Sequence, residues 1–354
     1  SKRVSAWKSD SHDIWRNEGI WDLDENNQPR LLRPKHFALN KLGKTVNFMN
    51  DFMVPFFEKF TEGIRSVHSD AIIFCEPYID PNKPVHGNAP TSMKGKRLAW
   101  APHYYDALTL LLKKARPWVA LDIGTEGIAV GVAAAQNAIT ENLAHVKHTS
   151  TTLGGNPGVP TLVGEIGIPI DLDRDANGMG YAYKTNDFSA QIRTLDRTMK
   201  GLEANLLSFT LWNYAAGNSN ERGDLWNDED LSLWSRDQQN GKTYRDDLNA
   251  GGRALAAAVR PYPMKTSGVP LKLSFDALSN ERAFYYEFSS SSENDPKVAP
   301  TLIFIPRFQY PHGININVSD GSYEYDEVNQ YISYVHDSGL NTHIVLISHK
   351  KQGH

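Results

Sequence analysis

Thr161-Leu-Val-Gly-Glu165-Ile-Gly167 decides how this chain is read: a short apolar run ends on a carboxylate set between two glycines. A run of that length bounded by turn residues is the pattern of a strand buried on both faces. The flanking glycines let a ligand approach Glu165 with little side-chain crowding. Similar runs stand on either side. Ala71-Ile-Ile-Phe-Cys75 is followed by Glu76-Pro77, Leu98-Ala-Trp-Ala-Pro102 by His103-Tyr-Tyr105, and Leu206-Leu-Ser-Phe-Thr-Leu211 by Trp212-Asn213. Residues at helical spacing occur between and before them: Phe48, Phe52, Phe56, Phe60 and Ile64, then stretches near Val130–Val146 and Phe188–Glu203. Short buried strands alternating with helices predict a parallel α/β sheet covered on both faces. Polar and aromatic residues at each run's end predict a site on the face where a (β/α)₈ barrel gathers its strand C-termini.

Four such strands make half a barrel. The chain also opens Ser1-Lys-Arg-Val-Ser-Ala-Trp7, with neither an initiator Met nor an apolar leader. Together these predict that the barrel's N-terminal half lies outside this sequence. The fold expected is therefore α/β: the C-terminal half of a (β/α)₈ TIM barrel, strands five to eight, followed by a small all-β sandwich. Residues 1–45 are polar, lack periodicity and read as a long insertion after strand four. Residues 46–262 form the half-barrel. Residues 263–354 form the sandwich, from strand-like runs at Ala283–Phe288, Thr301–Ile305, Ile314–Val318 and His343–Ile347 separated by turn signals.

Bulk properties narrow the function. The 354 residues are 40% apolar and 22% charged, values of an ordinary globular protein. A net charge of −4 gives no broad attraction to nucleic acid or anionic membrane. No apolar stretch approaches the roughly 18 residues of a membrane span. The single cysteine, Cys75, makes no intramolecular disulfide and reads as a buried small hydrophobe, which fits a reducing, cytoplasmic compartment.

Glu165 carries the sharpest chemical signal. A retaining glycosidase needs one carboxylate to attack the anomeric carbon and a second, about 5–5.5 Å away, to protonate the leaving oxygen. The competing reading of the local motif is a rim glutamate paired with an arginine. His103 and Tyr105, one strand earlier, are placed to orient Glu165 and to bond a sugar hydroxyl. Trp212, one strand later, offers a flat floor for a pyranose ring. The loop from Ala215 to Trp234 interleaves Asn218, Asp224, Trp226, Asn227, Asp228, Glu229 and Asp230, a mixture suited to sugar hydroxyls. Its acids do not follow the spacing of an EF-hand calcium loop.

In order, Glu76-Pro, His103-Tyr-Tyr-Asp106, Gly164-Glu-Ile-Gly167 and Leu211-Trp-Asn-Tyr214 resemble glycoside hydrolase family 5. The stretch from Thr210 through Gly223-Asp-Leu-Trp-Asn-Asp-Glu-Asp230 resembles more narrowly the endoglycoceramidase-related branch, with its fungal glucosylceramidases and steryl-β-glucosidases. Ile14-Trp-Arg-Asn-Glu-Gly-Ile-Trp-Asp22 resembles that branch's insertion, and the C-terminal region with Val318-Ser-Asp-Gly321 its appended domain. The resemblance implies a barrel with a glucose pocket, a neighbouring apolar groove for a lipid, and hydrolysis by double displacement without metal or organic cofactor. By position it makes Glu165 the nucleophile, supported by His103 and Tyr105. Trp212 lines the glucose subsite, and Asn213, Glu76, Asp224, Trp226, Asn227 and Glu229 are further substrate-binding residues. The partners implied are a glycolipid, a membrane surface touched transiently to reach it, and the absent N-terminal segment.

One departure bears on mechanism. The family's general acid follows an Asn as Asn-Glu-Pro at the end of strand four. Here Glu76 follows Cys75 and belongs to strand five, whereas Asn17-Glu18 has Gly19 after it and no apolar strand before it. The acid is therefore expected before residue 1, with Glu76 as the alternative. Two other readings stand beside hydrolysis of a glucosylated lipid: a non-catalytic glycolipid-binding protein, and an endo-acting glycosylceramidase that releases an intact glycan.

Overall fold

The computed structural model describes residue 7 and residues 13–78, 97–151, 158–176, 178–225, 229–291, 295–337 and 339–350. Backbone contacts divide the chain into Ser1–Ser69 and Asp70–His354.

The first unit holds more structure than its sequence suggested. Strands β1 (Trp21–Leu23) and β2 (Pro29–Leu31) form an antiparallel hairpin with Trp21 opposite Leu31. Asn27 takes the left-handed conformation at its turn, which an Asn tolerates better than most side chains. Helix α1 (Val54–Arg65) follows a π-helical turn over Met49–Met53. The expected aromatic stripe lies along one line, with Phe48 on Phe52 and Phe56 on Phe60 at ring separations of 5.8 and 5.9 Å.

In the second unit the strands β3 (Ile73–Cys75) and β4 (Leu98–Trp100) pair in parallel. A parallel bridge from Trp100 to Thr161 leads to the next group. There β5 (His103–Tyr104), β8 (Leu162–Ile166) and β9 (Ser208–Leu211) run in parallel in that order. Sequence neighbours are thus spatial neighbours, and all four runs point the same way. The described residues form an open arc of parallel strands, not a closed barrel.

Helices α2 (Val132–His148) and α3 (Ser189–Ala204) cover this arc. Ala135, Ala138, Ile139, Leu143 and Val146 of the first and Leu195, Met199 and Leu202 of the second are buried in one core with Val163, Ile166 and Leu207. Their spacing is the i, i+3, i+4 stripe of an amphipathic helix. Gly201 sets the approach: a Cβ there would stand 2.8 Å from the Leu143 side chain. Between β5 and α2 the sequence reading left a long excursion. It contains the antiparallel hairpin of β6 (Val119–Asp122) and β7 (Gly127–Val130).

Beyond Arg260 the architecture becomes antiparallel. Strands β10 (Tyr262–Lys265), β13 (Thr301–Phe304), β16 (Tyr331–Val335) and β15 (Ser322–Asp326) form one sheet in that order. Strands β11 (Val269–Phe275), β12 (Phe284–Ser289), β17 (Thr342–His349) and β14 (Ile314–Val318) form the other. The two sheets share a core of Phe275, Phe284, Tyr286, Phe288, Ile303, Ile332, Tyr334, Val345 and Ile347. Alternate residues of β12 supply Phe284, Tyr286 and Phe288, as the period of two requires.

At one end of this sandwich His343 is fully buried, with Nδ1 2.9 Å from Asp320 Oδ2 and Nε2 2.8 Å from Ser290 Oγ. The arrangement has the outline of a hydrolytic triad. The single Ser290 hydroxyl hydrogen, however, is given to Leu340 O at 2.7 Å, so the serine is held as a strut and not as a nucleophile. Among the described residues no helix is long and apolar enough to cross a membrane.

Candidate active site

Parallel register places the site. His103 on β5 lies opposite Glu165 on β8, so both side chains reach the same end of the arc. Tyr105 follows two residues later and donates its hydroxyl to Glu165 Oε2 at 2.7 Å. His103 Nδ1 stands 3.4 Å from the same oxygen. Both contacts fall on Oε2. Across the imidazole, His103 Nε2 is 3.2 Å from Glu76 Oε1 at the end of β3. The structure thus joins Glu76, His103, Tyr105 and Glu165, from three successive strand tips, in one chain of contacts.

Burial, reinforced by the bond to Glu165 and by the charges of Glu229 and Asp224, pushes the Tyr105 phenol far above its ordinary range. It remains a hydrogen-bond donor at any pH the protein meets. A charge-assisted bond of this type contributes about 1.5–3 kcal/mol. Tyr105→Phe is therefore expected to cost about 1.5–3 kcal/mol with little change in fold, as denaturant unfolding and circular dichroism would register.

The glycines beside Glu165 have separate duties. A Cβ on Gly164 would press on Ala101 O and the His103 ring, each at 3.3 Å. A Cβ on Gly167 would lie 2.2 Å from Trp212 O, inside the main chain of the next strand's exit. Gly167→Ala must displace the Trp212 backbone. Overpacking of this kind costs about 1–3 kcal/mol, so denaturant unfolding should show that loss.

Trp212 leaves the end of β9 with its N–H donated to Ile166 O at 2.7 Å, and the Trp212–Asn213 peptide is cis. Asn213 is held by its backbone to Leu231 and Leu233, at 3.2 and 2.9 Å. Its side-chain amide donates to Asp224 Oδ2 at 3.2 Å, and the same oxygen accepts from Leu231 N at 3.0 Å. Gly223, at φ +64°, turns the chain into Asp224 where a Cβ would stand 2.3 Å from Glu229 O. Burial raises the Glu229 carboxyl; Lys113 counters part of the rise and Asp224 adds to it. Trp226 and Asn227, also singled out from the sequence, lie outside the described residues.

Two polar residues in this loop do work that sequence did not reveal. Asp230, 2% exposed, is gripped by Arg253 through two bonds of 2.8 and 2.7 Å, and by Asn218 Nδ2 at 2.8 Å and the Tyr183 hydroxyl. Asp230 and Asn218 therefore build the loop from inside instead of facing a ligand. The loop carrying Tyr105 is anchored in the same manner. Arg197 of α3 bonds Asp106 Oδ2 at 2.5 Å and the carbonyls of Pro117 and Val119 at 3.1 and 3.0 Å. Buried guanidiniums with planar, multiple partners suit this anchoring.

A carboxylate is thus oriented by a phenol and an imidazole at the tips of parallel strands, with a tryptophan at the next tip. Residues 260–347 match the family described as the glycoside hydrolase family 5 C-terminal domain. Over 96% of its length the chain is 28% identical to a glucosylceramidase of Rhizopus delemar, covering 50% of that protein. It is 27% identical to an ergosteryl-beta-glucosidase of Saccharomyces cerevisiae, again over 96% of this chain and 50% of the relative. The structure is similar to Cryptococcus neoformans sterylglucosidase 1, with a TM-score of 0.80 and 27% identity over 96% of this chain and 50% of that one. The chain spans about half the length of the curated relatives it matches.

Proposed function

We propose that this chain is the nucleophile-bearing half of a retaining β-glucosidase that frees glucose from a glycolipid, either a steryl β-glucoside or a glucosylceramide. One observation carries this reading: Tyr105, at 2.7 Å, and His103, at 3.4 Å, hold Oε2 of Glu165 at the strand tip. The names of the relatives in sequence and structure support the substrate class. In the first step Oε1 attacks the anomeric carbon, and the bond to the lipid oxygen breaks with its electron pair leaving on that oxygen. A general acid delivers the proton. Water then displaces Glu165 from the sugar, and the same acid, now a base, takes the water's proton.

Glu76 and Glu165 flank opposite nitrogens of one imidazole. We read Glu76 as a holder of His103, and the proton donor as supplied by a segment preceding residue 1. Trp212 serves as the platform for the pyranose, and Asn213, Asp224, Trp226, Asn227 and Glu229 as its polar contacts. The reading keeps residues 1–45 as an insertion, 46–262 as the half-barrel and 263–354 as the appended β domain. It includes a cytoplasmic location and transient contact with the membrane that holds the substrate.

The test is covalent trapping. An activated 2-deoxy-2-fluoro-β-glucoside, incubated with the chain and its preceding segment, should leave one fluoroglucosyl group on Glu165, located by peptide mass spectrometry. Tight glycolipid binding with no label would favour a binding protein instead.

A further inference from the structure

At one end of the sandwich two buried histidines pack ring against ring. His336, just past β16, and His343, on β17, are 5% and 0% exposed, with ring centroids 4.0 Å apart. The hydrogen count around them fixes where the protons sit. Ser290 Oγ gives its one hydrogen to Leu340 O, so toward His343 Nε2, 2.8 Å away, it can only accept. Asp320 faces His343 Nδ1 with both oxygens, at 3.1 and 2.9 Å. Those oxygens also accept from Ser319 Oγ at 2.5 Å and Asp337 N at 2.8 Å, the surroundings of an ionised carboxylate. Both nitrogens of His343 therefore carry hydrogen, which makes it an imidazolium paired with Asp320.

His336 is held in the opposite state. Its Nδ1 is buried without a hydrogen-bond partner, and a full imidazolium would place a hydrogen there with no acceptor. It would also bring a second positive charge onto the ring of the first. Burial, and after it the charge of His343, holds His336 below the ordinary histidine range, with Asp320 and Asp337 offsetting part of this. The other rings against it are Phe288, from β12, and Tyr334, from β16; burial keeps the Tyr334 phenol protonated. Around the pair, Ile344 N donates to Ser319 Oγ at 2.9 Å and Ser290 N to Asn341 O at 3.0 Å. With the Asp320 bonds, these tie the Ser319–Gly321 turn and the end of β12 to the ends of β16 and β17.

We infer that the histidine pair is an acid-sensitive latch in the antiparallel sandwich: while His336 is neutral the ties hold, and when it takes a second ring proton the Ser319–Gly321 turn parts from Asp337 and Ile344. A group held low in the closed form favours closure above its ordinary value, about 6.5 for histidine, and closure is lost as pH falls below that. His343 already holds both its protons and takes up none. Asp320 is also held low, because the bonds from Ser319, Asp337 and His343 outweigh its burial, so its own loss begins only below about 3.9. The latch thus opens before acid reaches the ion pair. It goes beyond the proposed hydrolysis and does not require it.

The experiment is hydrogen exchange of the full chain, read at the amides of Ser290, Asp337 and Ile344 and corrected for intrinsic rate. From about pH 7.5 to about 5.5 the opening constant should rise about tenfold, the amount for one proton refused by the closed form. His336→Phe keeps a ring against His343 without a titrating nitrogen, so its opening constant should stay level over that range. Heteronuclear NMR of the histidine-labelled wild type needs no variant to fold. Near neutral pH both ring nitrogens of His343 should be protonated, and only one of His336. An equal rise in wild type and folded His336→Phe overturns the inference, as does no rise in wild type, or a bare ring nitrogen on His343.

Discussion

Glu165→Gln is expected to reduce β-glucoside hydrolysis by a factor on the order of 10⁴ or more, the scale on which loss of a covalent nucleophile is felt. The substitution is nearly isosteric, and the glutamine carbonyl can still accept the Tyr105 hydrogen that Glu165 Oε2 accepts at 2.7 Å. The strand tip and its neighbours should therefore stay in place, and the loss should appear in kcat with the fold intact. A second variant separates the nucleophile from a structural rim glutamate. In Glu165→Ala the vacated space admits a small anion, and azide should restore turnover of an activated aryl glucoside while producing the α-glucosyl azide. Inversion at carbon is the signature, because the external anion performs only the first displacement. Undiminished hydrolysis by the Gln variant, or azide rescue yielding only glucose, would sink the assignment. The assay is made with the preceding segment supplied, since the proposed donor of the leaving-group proton lies there. Aryl glucosides with good leaving groups relax that need, because they require little protonation.

The strand tips were legible because burial and chemistry alternate abruptly at them. Val163 and Ile166 are fully buried, and Glu165 between them is not; a run of that texture can be found without a partner in view. The register that sets His103 opposite Glu165 follows once successive parallel strands are taken as neighbours. The groups that hold the site in place were not legible. Arg253, Arg197 and Arg260 look like surface residues in sequence, and their carboxylates stand 23, 91 and 64 positions away. Residue type tells that Asp230 wants a donor, but not whether a sugar or Arg253 supplies it. The hairpin Val119–Val130 escaped for a different reason: only Ala120 in its first strand is fully buried, so the apolar contrast that reveals a strand is weak. The first unit's hairpin is similar, with Pro29–Leu31 exposed throughout.

Arg260→Ala is expected to destabilise the second unit by about 3–5 kcal/mol, the cost of leaving buried charges without their partner. Arg260 is 5% exposed and bonds Glu203 Oε1 at 2.5 Å, Glu203 Oε2 at 3.0 Å and Asp196 Oδ1 at 2.7 Å, all from α3. Its two remaining hydrogens go to Phe275 O at 2.9 Å and Ala257 O at 3.4 Å, and Glu203 Oε2 in turn accepts from Phe275 N at 3.1 Å. Phe275 ends β11, in the core of the sandwich. One guanidinium therefore ties α3 to the antiparallel sheets through charged and backbone partners together. Removing it strands Asp196 and Glu203, although Lys200, 3.0 Å from Asp196, softens the loss on that side. At about 2–4 °C per kcal/mol for a domain of 150–250 residues, the melting temperature should fall by roughly 10 °C. Calorimetry reads a second consequence. With the tie intact the parallel strands with their helices and the antiparallel sheets should melt in one transition, whereas the variant should show two. Arg260→Met paired with Glu203→Gln removes charge from both sides and should recover part of the loss. If the single and double variants melt alike, the network's contribution is packing of the arginine stem and not compensation of buried charge.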